Sequence, residues 1–200
     1  IASVISMVPQ GFVLMTSLAF AIASATLARK NVLVQELPAV EGLARVDTIC
    51  FDKTGTLTEG TIVFDELHLL PHKSMLQATE VLAVFGADQG ANATTRSLNK
   101  KFNTAADAAV TGHTPFDSTR KWSAFTFEKN GHRETWVLGA PEFVLNRNAH
   151  STVLEDAAGH ASAAKRTLVL AFASGALNEE QLPSHLAPAA LITLHEKIRS

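Results

Sequence analysis

The sequence predicts an α/β protein of the α+β kind, with an antiparallel sheet of about six strands flanked by helices. Three observations lead to this fold class. Residues 1–28 contain no charged side chain, which is typical of one long apolar helix. Residues 46–51 are a short apolar strand pattern that delivers Asp52 into a polar loop. Beyond residue 60, strand and helix patterns alternate, with a hairpin signal at 129–131.

Composition narrows the class of protein. The chain has 200 residues, of which 46% are hydrophobic and 18% charged, with a mean hydropathy of +0.13. A net charge of −2 argues against a nucleic-acid partner, because no basic stripe is present to neutralise phosphates. The single cysteine, Cys50, excludes an internal disulfide framework, and we expect it to be buried in its strand. The chain begins at Ile1 without methionine, so we expect a segment of a longer protein.

The opening segment, 1–28, is long enough to cross a membrane, which takes about 20 apolar residues. Arg29 and Lys30 follow at once and predict that this end is cytoplasmic. A secretory signal peptide has its basic residues before the apolar run, not after it. A buried core helix of a soluble protein is the alternative interpretation.

Pro9 and Gln10 interrupt this apolar helix. Pro9 has no N–H and leaves the carbonyl of Ile5 without its helical partner. In transporters, such unwound carbonyls coordinate cations near the middle of the membrane. A simple structural kink is the alternative. Taken alone, a proline in an apolar helix favours the kink.

Further elements follow from local patterns. Residues 29–45 predict an amphipathic stalk in which Pro38 starts a helix. The later strand patterns cover 61–70, 122–127, 133–138, 167–173 and 191–195. The later helix patterns cover 74–85 with Ser74 as its cap, 94–110, 141–146 and 153–164.

Asp52 is the candidate nucleophile. The predicted strand holds it rigidly, and Gly55 lets the backbone bend close to a bound anion. Threonine hydroxyls and backbone N–H groups can then cradle a phosphoryl group. A carboxylate that accepts this group divides one difficult transfer into two easier ones.

Residues 52–58, Asp-Lys-Thr-Gly-Thr-Leu-Thr, resemble the phosphorylation signature of the P-type ATPases, membrane pumps that form an aspartyl-phosphate from ATP. The resemblance implies a catalytic role for Asp52, Lys53 and Thr54. It also implies a Mg²⁺ ion held by Asp52 and the backbone carbonyl of Thr54. Phosphate binding is implied for three consecutive residues, Thr54, Gly55 and Thr56.

Two later segments resemble the nucleotide-binding domain of the same family. Residues 116–121 are similar to its phenylalanine-to-lysine motif, and 139–142 to its glycine-alanine-proline-glutamate motif. An aromatic face such as that of Phe116 can stack on a purine, and Lys121 can meet a phosphate. The resemblance implies nucleotide contacts from Phe116, Ser118, Lys121, Gly139 and Arg166.

Two positions depart from the family pattern. Leu138 stands where the family has a lysine, and losing one charge-assisted contact costs about 1.5–3 kcal/mol, so we expect weaker ATP binding. The resemblance implies an ion path at Pro9 and Gln10. Gln10 stands where many calcium and sodium pumps have glutamate, so it brings no negative charge to a cation. The transported ion stays open between calcium, another metal and a monovalent cation.

The expected organisation follows from this resemblance. A transmembrane helix (1–28) and a stalk (29–45) lead to the first part of a Rossmann-like, haloacid-dehalogenase-type phosphorylation domain (46–59). A nucleotide-binding domain (60–189) is inserted there, and 190–200 return to the phosphorylation domain. The parent protein is expected in the cell membrane, contacting lipid and the rest of its own pump polypeptide, with residues 29–200 cytoplasmic.

The resemblance implies cation transport coupled to ATP hydrolysis through Asp52, with ATP and Mg²⁺ as cofactors. We expect no turnover from these residues alone, because the family's other magnesium ligands are absent. Two alternatives stay open: a soluble haloacid-dehalogenase-type phosphatase or mutase, which the charge-free residues 1–28 oppose, and a non-catalytic nucleotide-binding module. Phosphate labelling at Asp52 separates a pump from the second alternative.

Overall fold

The protein divides into two compact units, Ile1–Phe51 and Asp52–Ser200. A computed structural model describes the backbone of most of the chain, and Pro9 lies outside the described residues. For residues 10, 53 and 54 it describes the backbone and not the side chain. The described ranges are 10–36, 38–71, 74, 76–104, 106–162, 165–177 and 181–199.

The first unit contains two helices, α1 (Gln10–Arg29) and α2 (Ala39–Ala44). Helix α1 is long and apolar enough to cross a membrane by length and composition. Pro38 is the N-cap of α2, which confirms the predicted helix start. Its fixed φ suits the first turn of a helix, where a missing N–H costs nothing.

The strand predicted over 46–51 is wrong. These residues form no regular secondary structure, and Cys50, which we expected to be buried, is exposed. Ile49 and Phe51 are 68% and 61% exposed. Within the described residues, no strand pairs with this segment, and a lone strand has no partners for its N–H and C=O groups.

The second unit is built on one six-stranded antiparallel sheet with the order β1-β6-β5-β4-β3-β2. This confirms the predicted class of sheet. The strands are β1 (Thr58–Leu69), β2 (Ala109–Thr114), β3 (Trp122–Lys129), β4 (His132–Gly139), β5 (Arg166–Ser174) and β6 (Ala187–Ile198). The helices are α3 (Ala78–Ala87), α4 (Ala93–Arg96), a 3₁₀ turn (Ser97–Lys100), α5 (Pro141–Val144) and α6 (Ser151–Ser162).

The β3–β4 hairpin lies next to the edge strand β2 and was predicted from its turn. Asn130 and Gly131 have φ of +53° and +77°, as a two-residue type I′ turn requires. Lys129 therefore pairs with His132, and the register continues to Trp122 opposite Gly139. The turn thus fixes which residues meet at the far end of the hairpin.

Helices cover both faces of the sheet. On one face α3 packs Phe85 and Leu82 against sheet residues such as Phe127 and Trp136. On the other face, α5 and α6 pack around Val169. Alternate residues of each strand supply the two cores, because side chains along a strand point to opposite faces.

The helix predicted over 94–110 is wrong in most of its length. The chain forms only α4 and the 3₁₀ turn, and then strand β2, whose Val110 pairs with Phe127 of β3. Pairing with an existing sheet edge outweighs a weak local helix preference.

The start of the helix predicted over 74–85 also differs, because Ser74 is not its cap. Gln77 caps α3 in a capping box with Glu80. The hydroxyl of Ser74 instead lies 3.0 Å from the carboxylate of Glu134.

Strand β6 continues past residue 190, where the sequence predicts an exit from the inserted domain. Antiparallel pairing with β1 runs as far as Thr58 opposite Ile198. Residues 190–198 are therefore part of the same sheet by hydrogen bonding. The pairing of β1 with β6 also ties residues close to Asp52 to the end of the described chain.

Phe85 provides a test of the first core, since its side chain is 1% exposed and meets Phe125 edge to face at 4.9 Å. Phe85→Ala should lower the free energy of unfolding by about 3–5 kcal/mol, because a cavity replaces the ring. Urea unfolding of the whole chain in detergent measures this. The control Phe143→Ala, at a ring that is 48% exposed, should change it by less than about 1 kcal/mol. Equal losses in both variants would contradict this core.

Candidate functional site

A cleft of about 930 Å³ lies in the second unit, at the end of the sheet where β4 stops and β3 and β5 begin. This volume is within the range of small-molecule sites. Parts of the lining come from the α4 turn, the loop before β3, α5 and α6. The polar or aromatic lining residues are Asn92, Thr94, Thr95, Phe116, Lys121, Glu142, Arg147, Ser151, Glu155, Lys165, Arg166 and Thr167.

The floor of the cleft depends on a close backbone approach at Gly139. A Cβ at this position would lie 2.7 Å from the carbonyl oxygen of Lys121 and 2.5 Å from the Cβ of Trp122. The next residue, Ala140, donates its N–H to the same Lys121 carbonyl at 3.1 Å. Only glycine lets the two strands meet this closely.

The loop before β3 is shaped by Asp117. Its carboxylate accepts the backbone N–H groups of Thr119 at 2.8 Å and Arg120 at 3.1 Å. These bonds, the one from Arg120 first, lower the pKa of Asp117. The ionised carboxylate therefore stabilises the turn fully at pH values above the ordinary aspartate pKa of 3.8. This stabilisation is lost as the pH falls through the lowered pKa of Asp117.

The turn delivers Lys121 to the cleft in an uncommon conformation. Its φ is +63°, and its N–H bonds the carbonyl of Asp117 at 2.8 Å. The guanidinium of Arg120 lies over the Trp122 ring, 5.1 Å from its centroid, and bonds the Pro115 carbonyl at 3.0 Å. These contacts hold the loop against the hairpin. The position of Lys121 is therefore fixed by the Asp117 turn before it and by Trp122 after it.

The structure brings four of the five predicted nucleotide-binding residues to this cleft: Phe116, Lys121, Gly139 and Arg166. Phe116 is half-buried and Lys121 is exposed, so a ring face and a cation are both accessible. Ser118 is exposed at the tip of the Asp117 turn and does not line the cleft. Its role stays a prediction.

Leu138 also contributes to the lining of the cleft. Its side chain is only 2% exposed and belongs to the α3-facing core. The side chain therefore offers the cleft almost no surface, and it brings no charge to it.

The side chain of Arg166 is held by a hydrogen bond to helix α4. Its guanidinium donates to the hydroxyl of Thr94 at 2.6 Å. Thr94 lies in the first turn of α4, where Asn92 caps the helix by accepting the N–H of Thr95 at 2.9 Å. The α4 turn thus orients a cation without neutralising it, since a hydroxyl carries no charge.

The charged lining favours an anion. Four cationic side chains and two carboxylates line the cleft. A concave site with an excess of one sign raises the local concentration of ligands of the other sign. The sequence reasoning missed two of these cations, Arg147 and Lys165; the Lys-Arg pair at 165–166 was the available signal for the second.

Asp52 and the following loop lie outside the lining of this cleft. Asp52 is exposed, and the backbone of Lys53–Leu57 forms a single π-helical turn in which Gly55 has a φ of +84°. Glycine adopts this left-handed conformation without strain. The N–H of Gly55 donates to the Thr58 hydroxyl at 3.2 Å.

Arg199 fastens this turn to the end of β6. Its guanidinium donates to the carbonyl of Gly55 at 3.0 Å and to that of Thr58 at 3.2 Å. The Thr58 hydroxyl donates in turn to the carboxylate of Glu196 at 3.1 Å. The loop after Asp52 is thus anchored by β6, while Thr56 stays exposed beside it.

Comparison with known proteins shows what this chain is similar to. A calcium-transporting ATPase, CtpE, of Mycobacterium bovis is 38% identical over 201 residues, which is 100% of this chain and 25% of that protein. A probable cation-transporting ATPase, exp7, of Streptococcus pneumoniae is 32% identical over 98% of the chain and 25% of its own length. No protein-family model matches the chain.

A solved structure of a zinc-transporting PIB-type ATPase shares the fold, with a TM-score of 0.59 and 21% identity over 92% of this chain and 27% of that one. The chain spans about a quarter of the length of the curated relatives it matches. Along its whole length it is a homologue of one segment of the P-type cation-transporting ATPases.

Gly139 gives a test of the cleft floor. Gly139→Ala should lower the free energy of unfolding by about 1–3 kcal/mol, because the methyl group overlaps the Lys121 backbone. The control Gly159→Ala, inside α6 where a Cβ meets nothing within 4 Å, should raise it by about 0.5–1 kcal/mol. Thermal unfolding of both variants gives the comparison. A neutral Gly139→Ala would show that the strands do not meet as described.

Proposed function

We propose that this chain is the part of a P-type ATPase that binds ATP in the 930 Å³ cleft and carries the phosphorylated aspartate, Asp52. The observation that carries the proposal is the convergence of Phe116, Lys121, Gly139 and Arg166 on one cleft. They come from three separate stretches of sequence. The cation-transporting ATPases named above, which match along the whole chain, support the same function.

ATP binding follows from the chemistry of the lining. The half-buried ring of Phe116 offers a face for the purine, which stacks on an aromatic side chain irrespective of its hydrogen-bonding edge. Lys121 and Arg166 supply cations for the phosphates, and Gly139 keeps the backbone of Lys121 against β4 at the floor of the cleft.

Phosphoryl transfer is assigned to Asp52. A carboxylate oxygen of Asp52 attacks the γ-phosphorus of ATP, the bond from that phosphorus to the β–γ bridging oxygen breaks, and ADP leaves with the electron pair. Backbone N–H groups of the turn containing Gly55, the hydroxyl of Thr56 and the ammonium of Lys53 are proposed to stabilise the phosphate charge. Water later hydrolyses the acyl phosphate and restores the carboxylate.

A Mg²⁺ ion would be held at this site jointly by the protein and by the phosphates of the nucleotide. Across the described ranges of the chain, no group of three His, Cys, Asp or Glu side chains could hold a metal alone. Mg²⁺ in phosphate-transfer sites is commonly held by one or two carboxylates together with the substrate's phosphates. Asp52 and the carbonyl of Thr54 are the proposed protein ligands, and the ion would neutralise developing phosphate charge.

The transport role rests on the first unit. We place α1 across the membrane, with residues 29–200 on the cytoplasmic side, because Arg29 and Lys30 follow the apolar segment. Pro9 and Gln10 are proposed to line the ion path. Calcium is the proposed cation, since the relatives with 38% identity are named calcium-transporting. The rest of the pump supplies the remaining ion ligands.

Asp52→Asn should abolish the acid-stable, hydroxylamine-sensitive phosphate label that the parent pump acquires from γ-labelled ATP in membranes. An amide cannot form the acyl phosphate, so the loss should be complete. Labelling and gel counting measure it.

The matched control is Asp47→Asn, an exposed carboxylate five positions earlier, which should keep its label. Labelling that survives in Asp52→Asn would contradict the assignment of the nucleophile. A wild-type pump that takes no label would point to a non-catalytic module.

Phe116→Ala should weaken ATP binding to the whole chain in detergent by about 1–3 kcal/mol, roughly fivefold to a hundredfold, because a stacking surface is lost. Isothermal titration with ATP measures it. Phe143→Ala serves as the control, since this exposed ring does not line the cleft. Equal affinities of wild type and Phe116→Ala would rule out stacking at this position.

A further inference from the structure

Lys165 lies at the boundary between the cleft and a second, smaller pocket. The smaller pocket has a volume of about 300 Å³ and is formed by the β1–β6 side of the sheet. Three residues line both spaces, Ala161, Lys165 and Arg166. The long side chain of Lys165 is 33% exposed, so its ammonium group can serve either space.

In this structure the ammonium of Lys165 is paired with Asp65 of β1, a residue that is not part of the lining of either space. The Nζ of Lys165 lies 2.6 Å from Oδ2 of Asp65. Thr193 of β6 donates its hydroxyl to the same oxygen at 3.2 Å, and Nδ1 of His195 lies 3.9 Å from Oδ1. Asp65 is therefore held from β6 as well as by Lys165.

Asp65 reaches this position through a β-bulge. Phe64 pairs with Leu194 and Glu66 with Thr193, so Asp65 is the extra residue of β1 with no partner of its own in the ladder. Bulges redirect a side chain and are frequent beside functional sites. The bulge thus places a carboxylate next to a lysine that lines the proposed ATP cleft.

The pair is charged around neutral pH. The hydrogen bond between the two side chains lowers the pKa of Asp65 and raises that of Lys165. A polyphosphate entering the cleft would compete with Asp65 for the same ammonium group. Arg166, next in sequence, faces no such competition from its Thr94 hydroxyl contact.

We propose that Lys165 binds the phosphate tail of the nucleotide beside Arg166, and that Asp65 acts through it as a positioning residue that limits this contact. The proposal rests on the proposed function, since it assumes a nucleoside polyphosphate in the cleft. Lys165 supplies a positive charge to a cleft in which Leu138 supplies none. Asp65 sets how far that charge is available to the ligand.

Two variants that break the same ion pair separate this proposal from a purely structural role. Lys165→Gln should raise the dissociation constant for MgATP about tenfold, because a charge-assisted contact is lost. Asp65→Asn should lower it about twofold to fivefold, because a competing, partly exposed carboxylate is removed. Adenosine, which has no phosphates, should bind equally to both variants and to wild type.

Isothermal titration of the whole chain in detergent with MgATP and with adenosine provides the readout. Lys129→Gln is the matched control, because this lysine is also 33% exposed and paired with an aspartate, yet does not line the cleft. It should bind MgATP as wild type does. Lys165→Arg keeps the charge, so its dissociation constant for MgATP should stay within about threefold of the wild-type value. This variant keeps the test decisive if Lys165→Gln folds poorly.

Effects of opposite sign on MgATP, with adenosine unchanged, support the proposal. Weaker MgATP binding in both Lys165→Gln and Asp65→Asn would overturn it and leave the pair a structural contact. Unchanged MgATP binding in Lys165→Gln, with wild type binding normally, would also overturn it while the proposed function stands. Absence of MgATP binding to wild type would overturn both.

Discussion

The close approach of the β3 and β4 backbones at Gly139 is the constraint on which the cleft depends. The N–H of Ala140 and the missing side chain of Gly139 let the Lys121 carbonyl sit against β4. Phe116 and Lys121 are then fixed relative to the start of α5. The Asn130-Gly131 turn at the other end of the hairpin sets this register, so a local turn preference determines the geometry of a distant site.

The charged side chains of the cleft determine how it attracts an anion. Arg166 is oriented by a neutral hydroxyl of α4, whereas Lys165 is paired with a carboxylate from a bulge in β1. The two neighbouring cations therefore differ in how much charge they offer an incoming anion.

The features that could be predicted from the sequence are those that a few neighbouring residues determine. The hairpin at 129–131 and the start of α2 at Pro38 are each encoded within a few adjacent residues, as are the segments 116–121 and 139–142 that meet at the cleft. The missing strand at 46–51 and the edge strand β2 depend on whether a partner strand is present, which a local pattern does not reveal. The pairing of Asp65 with Lys165 joins residues far apart in sequence through a bulge that no motif announces.

Amide chemical-shift mapping would show whether ATP occupies the cleft at the end of the β3–β4 hairpin. ¹⁵N-labelled chain in detergent micelles would be titrated with MgATP into the millimolar range. The account predicts shifts concentrated at the amides of Lys121, Gly139 and Ala140, with Gly131 at the opposite end of the hairpin unchanged. Shifts centred on Gly131, or none at all, would contradict it.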